Sequence, residues 1–258
     1  MKKEIAIIGY GRFGKTAAHH LKKHFRVTVA DSRRITKLEP GVRRESIENA
    51  ASKRIVILAV PIHRLTLLLK QISPFVTPGS LICDVCSVKE EPVKWMKQYL
   101  PSTVDILGVH PLFGPDSARQ SLEGRTAVLC PVRISAARLR RVRSMLQKLR
   151  LTIGRMSPAQ HDRLMAKTLF LTQMIGRGLG QVNLPETRYA TQHFRFLHQL
   201  VNTANNDTAE LFNDMYRYNR FARKIPAAVL SSFLNTISTL RKEEIAASQL
   251  YGEYSLPV

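Results

Sequence analysis

An α/β chain is predicted, with a doubly wound parallel sheet over residues 1–156 and an all-helical second domain over 157–258. Three observations carry this expectation. Short apolar runs alternate with helical stretches up to Ser157, the signature of a sheet wound on both faces. A glycine cluster, Gly9-Tyr10-Gly11-Arg12-Phe13-Gly14, stands between the first apolar run and the first helical stretch. Beyond Ser157 no strand pattern recurs, and four long helical stretches fill the remainder.

Taken in order, EIAIIG (4–9) is a strand ending in glycine, and the segment from Arg12 to His24 is helical. RVTVAD (26–31) and RIVILAVP (54–61) are the next strands, the latter stopped by Pro61 before a helix at about 63–71. SLICDVCS (80–87) is a fourth strand, followed by the helix KEEPVKWMKQYL. VDILGVH (104–110) runs into the loop PLFGPDS, and TAVLCPV (126–132) and LTIGRMS (151–157) flank a basic helix. That helix carries Arg138, Arg140, Arg141, Arg143, Lys148 and Arg150 around Leu139, Val142, Leu146 and Leu149, whose spacing describes an apolar stripe with a solvated basic face. The later helices are expected at about 158–182, 190–204, 207–222 and 226–247, and the final SLPV is expected to fray.

The glycine cluster reads G-x-G-x-x-G in the one context that makes it informative, after a strand and at the start of a helix. This is the Rossmann-type dinucleotide turn. Gly9 permits the tight turn, Gly11 lets the backbone approach a pyrophosphate, and Gly14 lets helix and strand pack closely. Arg12 and Phe13 lie at the helix start, where the backbone dipole favours the phosphate charge. Asp31 ends the second strand, where a carboxylate accepts both ribose hydroxyls and repels a 2′-phosphate, which favours NAD. Ser32, Arg33 and Arg34 follow at once and are suited to a 2′-phosphate, so NADP stays open. Val60 and Pro61, after the third strand, complete the expected cofactor contacts.

Composition sets the outer limits. The chain has 258 residues, 44% of them hydrophobic, with 40 Lys+Arg against 19 Asp+Glu and a formal charge of +21. Such a field attracts acidic metabolites, phosphates and nucleic acid alike, but the charges are spread rather than blocked, and nucleic acid is not the expected partner. No run approaches the ~18 apolar residues of a membrane span, so no membrane partner is expected. Glu4 interrupts the only stretch resembling a signal peptide, and a cytoplasmic location is expected. Cys83 and Cys86 have C-x-x-C spacing within a strand and its exit, with no second Cys/His pair at metal spacing. They and Cys130 read as small buried residues, and no metal is expected.

In a doubly wound sheet, ligands lie beyond the carboxyl ends of the strands. Among the histidines only His110 stands at such a strand exit, and Ser87 leaves the neighbouring strand. A neutral imidazole there can accept the proton of a substrate hydroxyl while hydride leaves the same carbon. Ser87 is the residue expected to orient that imidazole. These features describe a nicotinamide-dependent dehydrogenase acting on a small anionic substrate.

VPIH, DVCSVKEEP, GVHPLFGPDS, SPAQHDRLMA and MIGRGL resemble, in order and spacing, the prephenate/arogenate dehydrogenase family of tyrosine biosynthesis, from about residue 4 to about 225. LVNTANNDTAELFNDMYRYNRFA is most similar to the arogenate-type branch. The resemblance implies oxidative decarboxylation of a cyclohexadienol, arogenate to tyrosine or prephenate to 4-hydroxyphenylpyruvate. It implies that His110 accepts a hydrogen bond from the 4-hydroxyl and that Ser87 contacts that histidine and the nicotinamide. Lys89, Gly114, Pro115, Asp116 and Ser117 would line the same cleft. His161 opens the second domain, where family members place active-site residues; the residue type alone fits a surface helix start equally well.

Two departures stand out. Gln173 occupies a position where the family usually has histidine, and it can donate a hydrogen bond but carry no charge. Thr203 replaces an arginine of the prephenate-type members. Arg217, with Tyr218 and Arg220 nearby, either supplies a replacement cation or belongs to the general basic excess. Two alternatives remain at this point: a related dehydrogenase of specialised metabolism acting on amino-deoxyprephenate, and a basic nucleotide-binding protein without catalysis. Neither a fused chorismate mutase nor a separate regulatory domain is expected. Members of the family dimerise through the helical domain, which is too apolar here for a lone surface layer, so a homodimer is expected.

Overall fold

A computed structural model of the chain describes residues 3–182 and 184–251, with side chains described to 243; the terminal SLPV lies outside the described residues. Eight strands form one sheet: β1 (Glu4–Ile8), β2 (Arg26–Ala30), β3 (Val42–Arg44), β4 (Ile55–Leu58), β5 (Leu81–Asp84), β6 (Asp105–Pro111), β7 (Thr126–Arg133) and β8 (Thr152–Arg155). Their order is β3-β2-β1-β4-β5-β6-β7-β8. The direction of winding reverses beside β1, so the crevice between the ends of β1 and β4 is the natural ligand position.

The helices of this half are α1 (Arg12–Leu21), α2 (Ile47–Ala51), α3 (Ile62–Ile72), α4 (Glu90–Tyr99) and α5 (Ala136–Lys148). Strand alternation assigns their faces. Ala6, Ile8, Val56, Leu58 and Ile82 pack with Ile62, Leu65, Leu69 and Met96 on one side. Ile5, Ile7, Val27 and Val29 pack with Ala18 and Leu21 of α1 on the other, where Leu139, Val142 and Leu146 of α5 also cover Leu81, Cys83, Leu107 and Leu129. The period-2 pattern thus buries both faces, as a wound sheet requires.

Three sequence expectations change. Strand β3 and helix α2 were not predicted, because VRR offers a single buried residue, Val42, beside two exposed arginines at the sheet edge. Strand β7 runs antiparallel to β6, with Val109 opposite Leu129 and His110 opposite Val128, while every other pairing is parallel. The reason is visible between residues 112 and 125, which hold no helix to carry the chain back for a parallel return. The basic helix is also not merely solvated, since Arg138 Nη1 donates to Asp105 Oδ2 (2.8 Å) and to the Gly79 carbonyl (2.7 Å).

The second half comprises α6 (Pro158–Met165), α7 (Leu171–Leu179), α8 (Gln192–Asn206), α9 (Ala209–Tyr218) and α10 (Ile225–Tyr251). Ser157 and Gln160 close a reciprocal capping box at the start of α6. The single helix expected over 158–182 is interrupted by a π-helical turn, Ala166–Phe170, before α7. There Phe170 stacks on Phe212 of α9, with centroids 5.3 Å apart and planes 5° from parallel. Gly176 lets α7 approach α8, since a Cβ at this position would lie 2.5 Å from Ala204 Cβ. Ala166, Phe170, Met215 and Ala222 join the same buried cluster as the sheet residues Ala6 and Leu58, so the helices seat directly on the sheet core. By contrast, Leu230, Phe233, Leu234, Ile237 and Leu240 of α10 stay exposed along one helix. No helix among the described residues is long and apolar enough to cross a membrane.

Candidate active site

The turn after β1 is shaped by sterics. Gly9 has φ +103°, and a Cβ there would lie 2.2 Å from the Ala59 carbonyl oxygen. At Gly14 a Cβ would lie 2.0 Å from the Gly9 carbonyl oxygen. Both glycines are therefore demanded by the protein itself. Gly11 differs: a Cβ there would meet only Arg33 Nη2, at 3.7 Å. Its small size answers no crowding within the chain, which is what a glycine facing a ligand looks like. No side chain caps the start of α1. The residues fit a pyrophosphate held by the Gly11 backbone and the α1 dipole.

Asp31 stands at the end of β2, next to this turn. Its carboxylate accepts the Tyr10 N–H (2.7 Å), the Arg33 N–H (2.9 Å) and Arg33 Nε (3.2 Å). Burial alone would raise this carboxyl, but the Arg33 guanidinium and the two backbone N–H groups outweigh it and hold it below the usual carboxylate range. Arg33 is thereby drawn to Asp31. Arg12 reaches across the turn, with Nη2 on Asp116 Oδ2 (2.6 Å) and Nη1 on the Asn206 carbonyl (3.0 Å). It ties the 114–117 loop and the α8–α9 connection to the nucleotide turn. Phe13 meets Phe113 with centroids 6.4 Å apart. Val60 leans on the turn, its Cγ1 3.0 Å from where a Gly9 Cβ would be, and Pro61 begins α3.

The second cluster lies at the ends of β5 and β6. Asp84 pairs with Gly108, so residues 86–87 come level with His110 on the next strand. His110 is 6% exposed, whereas His161 and Asp162, from α6, are both at 0%. His110 Nδ1 lies 2.8 Å from His161 Nε2, and His161 Nδ1 lies 2.7 Å from Asp162 Oδ1. Asp162 also accepts the N–H groups of Lys89 (2.7 Å) and Glu90 (2.9 Å) at the start of α4. Asn219 Nδ2 donates to the Asp162 carbonyl at 2.8 Å, locking the end of α9 to the same point. His161 is thus no surface residue. It is the hydrogen-bond partner of His110, a place the sequence assigned to Ser87, whose hydroxyl is buried without a partner among the described residues.

Burial first, then the His161 ring and the Lys89 ammonium beside it, hold His110 well below the ordinary histidine range. The ring is consequently neutral near pH 7. A neutral His161 leaves one arrangement that satisfies every contact. The Asp162 carboxylate can only accept, so His161 carries its proton on Nδ1; His161 Nε2 then accepts from His110 Nδ1–H, and His110 Nε2 retains its lone pair.

Lys89 does not line the cleft as expected. It is fully buried, its ammonium paired with Asp84, because a charge in this core must have a partner. Gly108 makes room for it, since a Cβ there would lie 3.0 Å from Lys89 Cδ. Gln173 is buried and donates to Asp207 Oδ2 (2.7 Å), while its Oε1 has no partner among the described residues. Arg177 Nη2 binds the Asp207 carbonyl (2.7 Å), so both side chains secure the α8–α9 connection beside Arg12. Gly114 and Ser117 are exposed, Pro115 is half-buried, and Ser117 Oγ donates to the Gly114 carbonyl. Arg217 lies apart: with Lys94, Trp95 and Arg220 it lines an open groove of about 680 Å³ bordered by none of Ser87, His110 or His161.

Sequence reasoning missed Asp84, Asp214 and Asn219. Asp84 carries a signal, an acid inside an apolar strand. Asp214, which accepts from His63 N (3.3 Å) and contacts His63 Nδ1 (3.0 Å) at the start of α3, carries none. The three cysteines are buried free thiols, and burial pushes Cys83 and Cys130 up to about 12. Among the described residues no group of three or more His, Cys, Asp or Glu is placed to hold a metal.

The family described as prephenate dehydrogenase, nucleotide-binding domain, matches residues 18–153. A TYRAAT1-like C-terminal domain family matches residues 178–249. Arogenate dehydrogenase 2, chloroplastic, of Arabidopsis thaliana is 29% identical over 229 residues, covering 84% of this chain and 64% of that protein. A probable arogenate/prephenate dehydrogenase of Methanocaldococcus jannaschii is 29% identical over 238 residues, covering 86% and 53%. The chain therefore spans about half to two thirds of the length of these curated relatives. The prephenate dehydrogenase of A. aeolicus, solved with hydroxyphenyl propionate and NAD+, shares the fold with a TM-score of 0.72 at 18% identity, covering 97% of this chain and 94% of that one.

Proposed function

The chain belongs to the prephenate dehydrogenase family, and from that premise we propose that it catalyses the NAD-dependent oxidative decarboxylation of arogenate or prephenate. The observation that carries this reading is His110, a buried, neutral imidazole whose Nδ1 is engaged by His161 while Nε2 has no partner among the described residues, at the carboxyl edge of a dinucleotide-type sheet. A nicotinamide held along that edge would supply the hydride acceptor for the ring carbon bearing the hydroxyl, with the ring carboxylate lost as CO₂ and its bonding pair making the ring aromatic. His110 Nε2 accepts the hydroxyl's hydrogen bond as the carbon–oxygen bond shortens, and leaves the proton on the product phenol. Ser87, whose hydroxyl has no partner among the described residues and lies one strand away, serves the nicotinamide and the substrate hydroxyl.

Gly9 and Gly14 shape the turn in which Gly11, Arg12 and Phe13 take the pyrophosphate, Asp31 takes the ribose, and Val60 and Pro61 the face of the cofactor. Engagement of Arg33 by Asp31 supports NAD, since the guanidinium is spent on the carboxylate. The +21 charge draws an anionic substrate toward the cleft. Two units, divided near residue 156, supply the cofactor and substrate contacts, in the cytoplasm. The exposed stripe Leu230, Phe233, Leu234, Ile237 and Leu240 suits a second copy of the chain, so sedimentation should return the mass of two chains. A steady-state matrix of arogenate and prephenate against NAD and NADP tests the activity: turnover is expected with at least one substrate and with NAD favoured. Absence of turnover in all four combinations would overturn it.

A further inference from the structure

Beyond the active-site base itself, we infer that His161 and Asp162 are positioning residues that keep the proton of His110 on Nδ1 and so leave Nε2 free to accept. The inference deepens the dehydrogenase reading and rests on it for the role of Nε2, but its geometry stands separately.

The chain of contacts crosses the molecule. His110 belongs to β6 of the sheet, whereas His161 and Asp162 sit on α6 of the helical half. Asp162 is immobilised from three sides, by the two α4 N–H groups on its carboxylate, by His161, and by Asn219 on its carbonyl. A carboxylate at a helix N-terminus is a strong and fixed acceptor. It orients His161, and His161 in turn presents Nε2 to His110 at 2.8 Å. A neutral imidazole in water populates both tautomers; a single buried acceptor at Nδ1 selects one.

Surrounding charges keep the relay from being short-circuited. Asp84 pairs with the Lys89 ammonium, and that cation disfavours protonation of His110. Cys130 on β7 is a buried thiol pushed up to about 12 and takes no proton role near neutrality. Because one half of the relay sits on each part of the molecule, the base is set only when the helical half is seated on the sheet.

Two variants separate orientation from packing. His161→Met fills the space but offers no comparable acceptor; His161→Gln places an amide oxygen near the lost Nε2. Removing the acceptor is expected to lower kcat on the order of 10²-fold, below the cost of losing the base. KM and NAD affinity should stay near wild type, and His161→Gln should recover part of kcat. Nitrogen NMR of histidine-labelled protein reads the tautomer without any turnover: Nδ1–H at His110 in the wild type and in His161→Gln, and a mixture in His161→Met. Equal kcat in the Met and Gln variants, or a wild-type His110 proton on Nε2, would overturn the relay. Should His161→Met fail to fold, the wild-type and Gln spectra still decide. A wild type inactive on both substrates but with Nδ1–H at His110 would sink the dehydrogenase reading and leave the relay standing.

Discussion

Two polar regions share the carboxyl edge of the sheet, and they are built by opposite means. The turn after β1 is local. Its glycines answer to backbone atoms of Gly9 and Ala59, and Asp31 is held by Tyr10 and Arg33, close neighbours in chain or sheet. The histidine cluster is assembled from residues near 87, 110, 161 and 219, on four separate elements, and it closes only when all are buried together. A region whose rules are steric tolerates exposure to solvent. One whose rules are hydrogen bonds to unique partners needs water excluded, because water would supply competing donors and acceptors.

The largest expected effect breaks the buried region. His110→Asn should lower kcat/KM by roughly 10²–10⁴, the share of a positioned acid–base group, with little change in NAD affinity. Because burial depresses the His110 pKa, the neutral form persists as pH falls. The wild-type acid limb should therefore lie well below the ordinary histidine value of about 6.5. The titratable groups acting on this ring are His161 and Lys89, and His110→Asn should abolish that limb while leaving others in place. Near-wild-type turnover in the variant would remove His110 from the mechanism.

The local region should fail differently. Gly14→Ala drives a Cβ against the Gly9 carbonyl, backbone on backbone, and should destabilise the fold by about 1–3 kcal/mol as well as weaken NAD binding. Gly11→Ala meets no comparable obstacle, so its melting temperature should match the wild type while NAD binding weakens by roughly tenfold, about 1.4 kcal/mol. Thermal melts beside binding titrations check the pair. If both variants melt alike, the distinction between a packing glycine and a ligand-facing glycine is wrong.

The smallest effect concerns selectivity. Asp31→Ala should weaken NAD several-fold more than NADP, since the carboxylate that binds ribose hydroxyls also repels a 2′-phosphate, and Arg33 is released to meet that phosphate. Equal losses for both cofactors, measured by titration, would take Asp31 away from the ribose.

The sequence by itself determined the wound sheet, the G-x-G-x-x-G turn, the strand-exit position of His110 and the change to helices after Ser157. Each rests on a local rule: alternation by two, helical spacing, or the steric demand of a turn. The antiparallel β7 departs from the parallel sheet expected, and its only trace in the sequence is the lack of a crossover helix between 112 and 125. Edge strand β3 was not, because a strand with one buried residue leaves no periodicity.

Only the tertiary structure decided what touches His110. By sequence Ser87 was the expected partner and His161 a substrate contact or a surface helix start, yet it is His161 that reaches the imidazole. The same holds for Lys89, expected at the cleft and found fully buried with Asp84, and for Asn219, whose bond to the Asp162 carbonyl spans 57 residues of chain. Apolar burial needs only the right kind of neighbour, so a pattern can encode it. A buried proton needs one particular acceptor in one direction, and that acceptor is chosen by how α6 packs against the sheet.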